Sequence, residues 1–457
     1  MTVCASGTTA DDGEPPAPPL PPGPGGVSGS LVITEDGGYA ARLTRSADAA
    51  DRWFPERWTL DGPEPYAVPL PGPRPEEPGT EVQPMADGRV LVRRPVADRH
   101  EFSLVYPTGP RTGEVRLGAL DQGPRTARWS LLPPAPGGTC AYALGADTDL
   151  SRVWRVAGGA GPELVAEVPG RCSGGAWLDR TGRLLALDRT ADGRTKAVSV
   201  DLGQGGAASP LLQIARDSTD RLVLADPDSG LLLIRSDAPS PGLERLGWGV
   251  LGSTLPVRFP DCLRLPGHRV APFALQPGQA LAPEECGVAL RIDGPRGSWL
   301  GVWRAASRTV RQLPPPPGWL PGSGLWTRDG ELRLPYATRT VPCGVARLTP
   351  AALAAAHPST PPPATAAPGR PAADVPVPAP RAEHTGEPPP VRSRAAEDGR
   401  NGSSVEGQPH PGGVTLVPCG PGSGVWPGAG AVVGVGGHLR PVPLQQAPLT
   451  GRVPLGG

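Results

Sequence analysis

An all-β fold, a β-propeller of seven four-stranded antiparallel blades, is predicted for residues 30–348 from three features of the sequence. The first is a pattern that recurs seven times between Ser30 and Leu348: an apolar run, a tight polar turn built on Gly or Asp, often an Arg, and a second apolar run. Its turns are Asp36-Gly37, Asp87-Gly88-Arg89, Gly137-Gly138, Thr181-Gly182-Arg183, Thr219-Asp220-Arg221, Gly267-His268-Arg269 and Asp329-Gly330. The second is the spacing. From Gly37 through Gly88, Gly138, Gly182, Asp220 and Gly267 to Gly330 the intervals are 51, 50, 44, 38, 47 and 63 residues. A period of about 40–50 residues holding several short strands marks a propeller or a related repeat. The third is turn chemistry: Asp192-Gly193 and Thr181-Gly182 separate strand-like runs, and Gly supplies the positive φ that a two-residue turn demands.

The strands follow in order, because short runs rich in Val, Leu and Trp between turn signals suit a pleated sheet. Predicted strands are 30–34, 39–43, 57–60 and 66–70 in the first unit, and 82–85, 90–93, 102–106 and 113–117 in the second. The third unit has 127–132, 140–144, 153–156 and 163–168; the fourth has 176–178, 184–187, 197–202 and 211–214. Units five and six are less regular, with 222–225 and 231–235, then 299–304 and 309–313, and unit six carries an insertion. Unit seven shows 324–327, 332–334 and 343–348, after which Thr349-Pro350 and Ala351 to Ala356 end the strand pattern with a fourth strand missing. A ring has to be closed, so that strand is expected from 25–30 upstream, ahead of 414–417 downstream. Six blades is the alternative if the irregular units six and seven merge.

The ends are different material. Residues 15–24 hold seven prolines and residues 358–390 hold twelve. Proline removes a backbone donor and locks φ, so neither stretch can join a sheet interior. The expected organisation is a disordered segment at 1–29, the repeat domain at 30–348 and a mostly disordered Pro/Gly-rich tail at 349–457. The tail echoes Pro321-Gly322-Ser323-Gly324-Leu325-Trp326 as Pro421-Gly422-Ser423-Gly424-Val425-Trp426, which in so Gly/Pro-rich a chain is read as chance rather than as an eighth unit.

Basic and acidic residues balance at 44 each, which gives no electrostatic reason to expect nucleic acid or an anionic membrane as partner. Lys196 is the single lysine and Asn401 the single asparagine, while Ala, Gly, Pro and Arg abound, the bias of a GC-rich, bacterial coding sequence. In such a chain Arg is the default cation, and its recurrence after turns is weak evidence of anion binding. Residues 1–29 show neither a basic start nor an apolar stretch, and no run approaches the roughly 18 apolar residues of a membrane helix, so a cytoplasmic protein is expected. Seven scattered cysteines, with no C-x-x-C pair, read as reduced thiols.

Signs of chemistry are sparse. Within the repeats only His100 and His268 are available to a metal site or triad, and both read as structural. No metalloprotease, nucleophile-elbow, Walker or dinucleotide pattern occurs, and no cofactor is expected. Two acidic turns, Asp226-Pro227-Asp228-Ser229-Gly230 and Asp147-Thr148-Asp149, carry alternate carboxylates, but self-bonded Asx turns account for them with less than a bound cation would. Trp129, Trp177 and Trp326 in or near first strands, and Trp154 and Trp303 in third strands, read as packing between blades. Trp53, Trp248 and Trp319 fall outside the predicted strands. With Arg52 and Arg245 they are the candidate exposed binding residues, since interface cores favour aromatic and Arg side chains.

The stretch Trp177-Leu178-Asp179-Arg180-Thr181-Gly182-Arg183-Leu184-Leu185-Ala186-Leu187 resembles the bacterial WD40-like and TolB-like propeller repeats, a resemblance that extends over residues 30–348. It implies a platform whose loops and central channel bind partners, often other proteins, and which sometimes carries an enzyme site. The expected function is therefore a non-catalytic protein–protein interaction scaffold or ligand-binding propeller, monomeric, with another protein as partner. The alternative is a propeller hydrolase or lyase with Asp179, Asp226 or Asp261 gathered at one channel mouth.

Overall fold

The computed structural model describes residues 31–45, 52–123, 128–278 and 281–355. The chain divides into two compact units, 1–418 and 419–457, and every described residue lies in the first. Short apolar runs ending on Gly, Pro or Asp leave no room for long helices, and the described residues form antiparallel meanders. Blade 1 is β1 (Val32–Ile33), β2 (Tyr39–Arg45), β3 (Trp53–Thr59) and β4 (Tyr66–Pro69), and blade 2 is β5 (Glu81–Pro84), β6 (Val90–Val96), β7 (Arg99–Pro107) and β8 (Thr112–Asp121). Blade 3 is β9 (Arg128–Leu131), β10 (Ala141–Ala146), β11 (Leu150–Ala157) and β12 (Glu163–Pro169). Blade 4 is β13 (Arg171–Trp177), β14 (Leu184–Ala191), β15 (Arg194–Asp201) and β16 (Ala207–Pro210). Blade 5 is β17 (Asp220–Ala225), β18 (Leu231–Ser236) and β19 (Arg245–Val250), widened by an isolated bridge from Trp248 to Arg258. Blade 6 is β20 (Arg269–Leu275), β21 (Gly287–Gly294), β22 (Gly297–Arg304) and β23 (Arg311–Leu313); blade 7 is β24 (Leu325–Trp326), β25 (Leu332–Tyr336) and β26 (Gly344–Leu348).

What makes these sheets a ring is the apolar packing between them. Leu91, Phe102 and Leu104 of blade 2 pack on Trp129, Ala141 and Val156 of blade 3, whose other face, with Leu144 and Val153, meets Trp177, Leu185 and Val200 of blade 4. Similar clusters join blades 4 and 5, 5 and 6, 6 and 7, and 1 and 2. The seventh joins blade 7 back to blade 1, where Leu31, Ala40, Trp58 and Leu60 meet Cys343, Leu320 and Val345, and Ser323 Oγ donates to the Leu31 carbonyl at 3.0 Å. The domain is thus an all-β propeller whose seven blades bury one face each against the next. Blades 4 and 5 share one hydrogen-bonded sheet only through a single parallel bridge, Lys196 to Asp220.

Both segments expected to supply a closing strand, 25–30 and 414–417, lie outside the described residues, as do the prolines of 15–24 and 358–390 and the echo at 421–426. Residues 350–355, expected to begin the tail, form α1 (Pro350–Ala355), with Leu353 buried against blades 6 and 7 and Arg311 Nη1 donating to the Leu353 and Ala354 carbonyls. Among the described residues no helix is long and apolar enough to cross a membrane.

Several strand assignments need correction. Residues 171–175 belong to β13, hidden in the sequence by Gly174-Gly175; the strand bulges there, Gly175 has φ +144°, and a Cβ on it would meet Leu132 at 2.9 Å. β19 was missed because Gly247 and Gly249 alternate with Leu246 and Trp248, and a Cβ on Gly247 would meet Phe259 at 2.7 Å. The outer strand of blade 4 is Ala207–Pro210, while Leu211 and Leu212, predicted to start it, turn into the core. Thr219-Asp220-Arg221 and Gly267-His268-Arg269 lie at the starts of the first strands of blades 5 and 6 instead of forming their first hairpins, which fall at Asp226–Gly230 and across 276–286.

Candidate functional site

First strands touch one another from blade 1 to blade 3 and from blade 4 to blade 7, which makes them the inner wall of the ring. All run from an entry end, where the chain arrives from the previous blade, to a turn end, where the first hairpin sits. The two ends differ in charge pairing.

At the turn end, four hairpins meet. Arg180, in the first hairpin of blade 4, donates from Nη1 to Glu35 Oε1 of blade 1 at 2.5 Å and forks through Nε and Nη2 onto the Asp228 carboxylate of blade 5. Glu35 Oε2 accepts the backbone N–H of Gly137 in blade 3 at 2.9 Å. Blades 1 and 4 are not neighbours, so this bridge crosses the axis. The bonded Asp228 carboxylate raises Arg180 further above its already high range. Removing the guanidinium in Arg180→Ala would take the forked pair of donors from Asp228, whose side chain is 8% exposed. The expected loss is about 1–3 kcal/mol, readable as a lower urea midpoint; an unchanged midpoint would assign the bridge no weight.

The carboxylates proposed from the sequence do not gather at one mouth. Asp179 caps its own turn, accepting from Arg183 N at 3.0 Å and Thr181 Oγ1 at 2.9 Å. Asp226 is buried, accepting from Ser229 Oγ at 2.5 Å and from Gly278 N of blade 6 at 2.9 Å. Both lie at the turn end. Asp261 sits on the connection into blade 6 at the entry end, exposed and paired with Arg245 at 2.6 Å. The Asp147 turn closes on itself through Thr148.

The entry end carries an arginine at or next to the start of the inner strand in four consecutive blades: Arg128, Arg171, Arg221 and Arg269. Arg128, Arg171 and Arg269 are exposed and, among the described residues, form no ion pair. Arg221 donates from Nη2 to Thr195 Oγ1 at 3.3 Å, its ion pairs are long, 3.8 Å to Asp188 and 3.8 Å to Glu244, and Arg235 shares Glu244 at 3.9 Å. Burial lowers Arg235 below its usual range, and the nearby Arg269 and Arg221 charges push the same way. Beside Arg128, between blades 3 and 4, lies a cavity of about 80 Å³ bordered by Ser130, Cys172, Ser173 and Gly174. Asp188 is buried just behind Gly174, accepting the Leu222 N–H at 3.0 Å. Burial raises its carboxyl to about 6, and Arg221, 3.8 Å away, does not offset that. A larger cleft of about 290 Å³ between blades 1 and 2 is lined by Arg111 and by Arg94, the latter bound to Glu76 at 2.8 Å and Glu114 at 2.7 Å.

Two polar nodes are structural. Lys196 Nζ points its three donors at Ala215 O (2.5 Å), Ser218 Oγ (3.1 Å) and Asp220 Oδ2 (2.6 Å). Asp220, fully buried, also accepts from Ser218, Ser236 and Ile214 N, which ties blade 4 to blade 5. His100 lies 5.1 Å from Trp129 and bonds Arg93 through Nδ1 and Gln122 through Nε2. A guanidinium can only donate, so Nδ1 accepts and the ring is the neutral Nε2–H tautomer, consistent with burial lowering its pKa. His268 caps its turn on the Pro266 carbonyl at 2.8 Å.

The aromatic candidates require correction. Trp248 is 5% exposed in β19 and Trp319 is 7% exposed, bridged to Tyr336, so both are core. Sequence patterning lost them because glycines and prolines interrupt the alternation around them. Trp53 lies within β3, half-buried under the Arg45 guanidinium at 4.7 Å; Arg52 is exposed beside it, and Arg245 serves Asp261. These residues sit on blades 1, 5 and 7 and form no common surface. Trp129, Trp177, Trp303 and Trp326 are buried between blades as predicted, with Trp154 packed against the cluster that holds Trp129.

No family model and no curated protein matches the chain. Among solved structures it is similar to TolB from Acinetobacter baumannii (12% identity, TM-score 0.38, covering 69% of this chain and 78% of that one). It is also similar to a puromycin hydrolase (16%, 0.45, 70% and 52%) and to oligogalacturonate lyase from Vibrio parahaemolyticus (10%, 0.44, 70% and 88%). At such identities the likeness says nothing of substrate or partner.

Proposed function

We propose that this protein is a non-catalytic binding platform whose partner, another protein, docks at the entry end of the ring. The observation that carries this reading is the row of inner-strand guanidiniums, of which Arg128, Arg171 and Arg269 have no carboxylate partner among the described residues. At the turn end, by contrast, the guanidinium that reaches across the axis, Arg180, is engaged by Glu35 and Asp228. Loops and strand ends held by a rigid ring are where recognition residues are expected.

A second reading, a hydrolase or lyase, is favoured by one observation: Asp188, with a carboxyl poised near pH 6, lies behind a cavity lined by Ser130, Cys172 and Ser173. Affinity purification from the native cell followed by mass spectrometry separates the two. Arg171→Glu and Arg269→Glu are expected to lose a co-purifying partner at unchanged melting temperature, while Asp188→Asn retains it. Turnover of a substrate that Asp188→Asn abolishes would replace the platform reading with the enzymatic one.

A further inference from the structure

We infer that the entry mouth recognises an acidic peptide segment, one of whose carboxylates enters the cavity beside Arg128 while others pair with Arg171 and Arg269; this rests on the entry-end platform reading above. Among the described residues Arg128, Arg171 and Arg269 stand exposed at one end of the inner wall with no ion pair, which leaves their guanidiniums available to an anionic ligand. Guanidinium forks match carboxylates bidentately, and such charge-assisted bonds are roughly twice as strong as neutral ones. Of the nearby acids, Glu244 is shared between Arg221 and Arg235 and Asp188 lies 3.8 Å from Arg221, so neither pairs with these three arginines.

The cavity sets the size of the group that enters. At about 80 Å³ it is small, and a carboxyl group is of a size to enter it. Its walls offer the Ser130 and Ser173 hydroxyls beside the Arg128 guanidinium, donors for both oxygens of a carboxylate. The spread of the arginines sets the length. They stand on blades 3, 4 and 6, with Arg221 of blade 5 between, so an extended chain with spaced side chains reaches all of them where a compact anion reaches one or two. A phosphodiester strand is disfavoured because its charges lie in its backbone and it has no small anionic side group to insert.

The test uses fluorescein-labelled hexaglutamate and the full chain, read by anisotropy at physiological salt. Saturable binding is expected, weakened about tenfold in each of Arg128→Ala, Arg171→Ala and Arg269→Ala, and unchanged in Arg308→Ala, an exposed arginine on the turn between β22 and β23. Labelled hexaglutamine is expected not to bind. Melting curves of each variant guard against mistaking unfolding for lost contacts. The inference fails if hexaglutamate shows no binding up to about 1 mM, if Arg308→Ala weakens it equally, or if citrate or a thymidine oligonucleotide competes at lower concentration than unlabelled hexaglutamate does. Failure of hexaglutamate combined with loss of the native partner in Arg171→Glu would discard the acidic segment while leaving the entry-end platform standing.

Discussion

Asp220→Ala is expected to destabilise the domain by about 3–5 kcal/mol, the usual cost of removing one partner of a buried ion pair. The carboxylate is fully buried and accepts from Lys196 Nζ, Ser218 Oγ, Ser236 Oγ and the Ile214 N–H, so its loss strands an ammonium, two hydroxyls and a backbone donor together. Asp220→Asn keeps an acceptor and is expected to cost less. Lys196→Arg is expected to destabilise as well, because the ammonium sends three donors in tetrahedral directions to three acceptors and a planar guanidinium cannot. Denaturant midpoints of the three variants test the ordering. An Asp220→Ala protein as stable as the parent would show that the node does not join blades 4 and 5 energetically.

Asp188→Asn is expected to stabilise the protein above pH 7 by an amount on the order of 3 kcal/mol, from about two pKa units at 1.36 kcal/mol each. The folded carboxyl titrates at about 6, against 3.8 when free of burial. Between those values the native state binds more protons than the unfolded chain. The parent therefore gains stability as pH falls from 6 toward 4 and loses it as pH rises through that window. The asparagine variant lacks this contribution, and its Oδ1 can still accept the Leu222 N–H. The weak attraction of Arg221 is forfeited, which trims the gain. Melting temperatures of both proteins from pH 4 to 8 should converge at the acid end and separate at the neutral end. Parallel curves would show that Asp188 is ionised without penalty and would also remove the main support for an enzymatic reading.

What the amino-acid sequence determined by itself is local. Five of the seven turn signals, the four-strand grammar of the first four units and the interblade tryptophans were legible because pleating has a period of two and tight turns demand Gly or Asp wherever they occur. The errors fell where glycine stands in for a pleat residue, at Gly174-Gly175 and Gly247, since there it answers to a neighbouring blade or loop and not to its own strand. The signal for the entry mouth was present as arginine at the start of blades 3 to 6, but arginine is this chain's ordinary cation, and only the tertiary structure separates Arg128, Arg171 and Arg269, left unpaired among the described residues, from Arg94 or Arg180, already bound. Likewise the single lysine looked like codon bias until folding placed it against Asp220. Arg180 meets Glu35 across 145 residues, and Asp188 acquires its high carboxyl pKa, because packing between blades fixes the angular position of every strand. Charge pairing and desolvation depend on that angle, which no local stretch of the chain encodes.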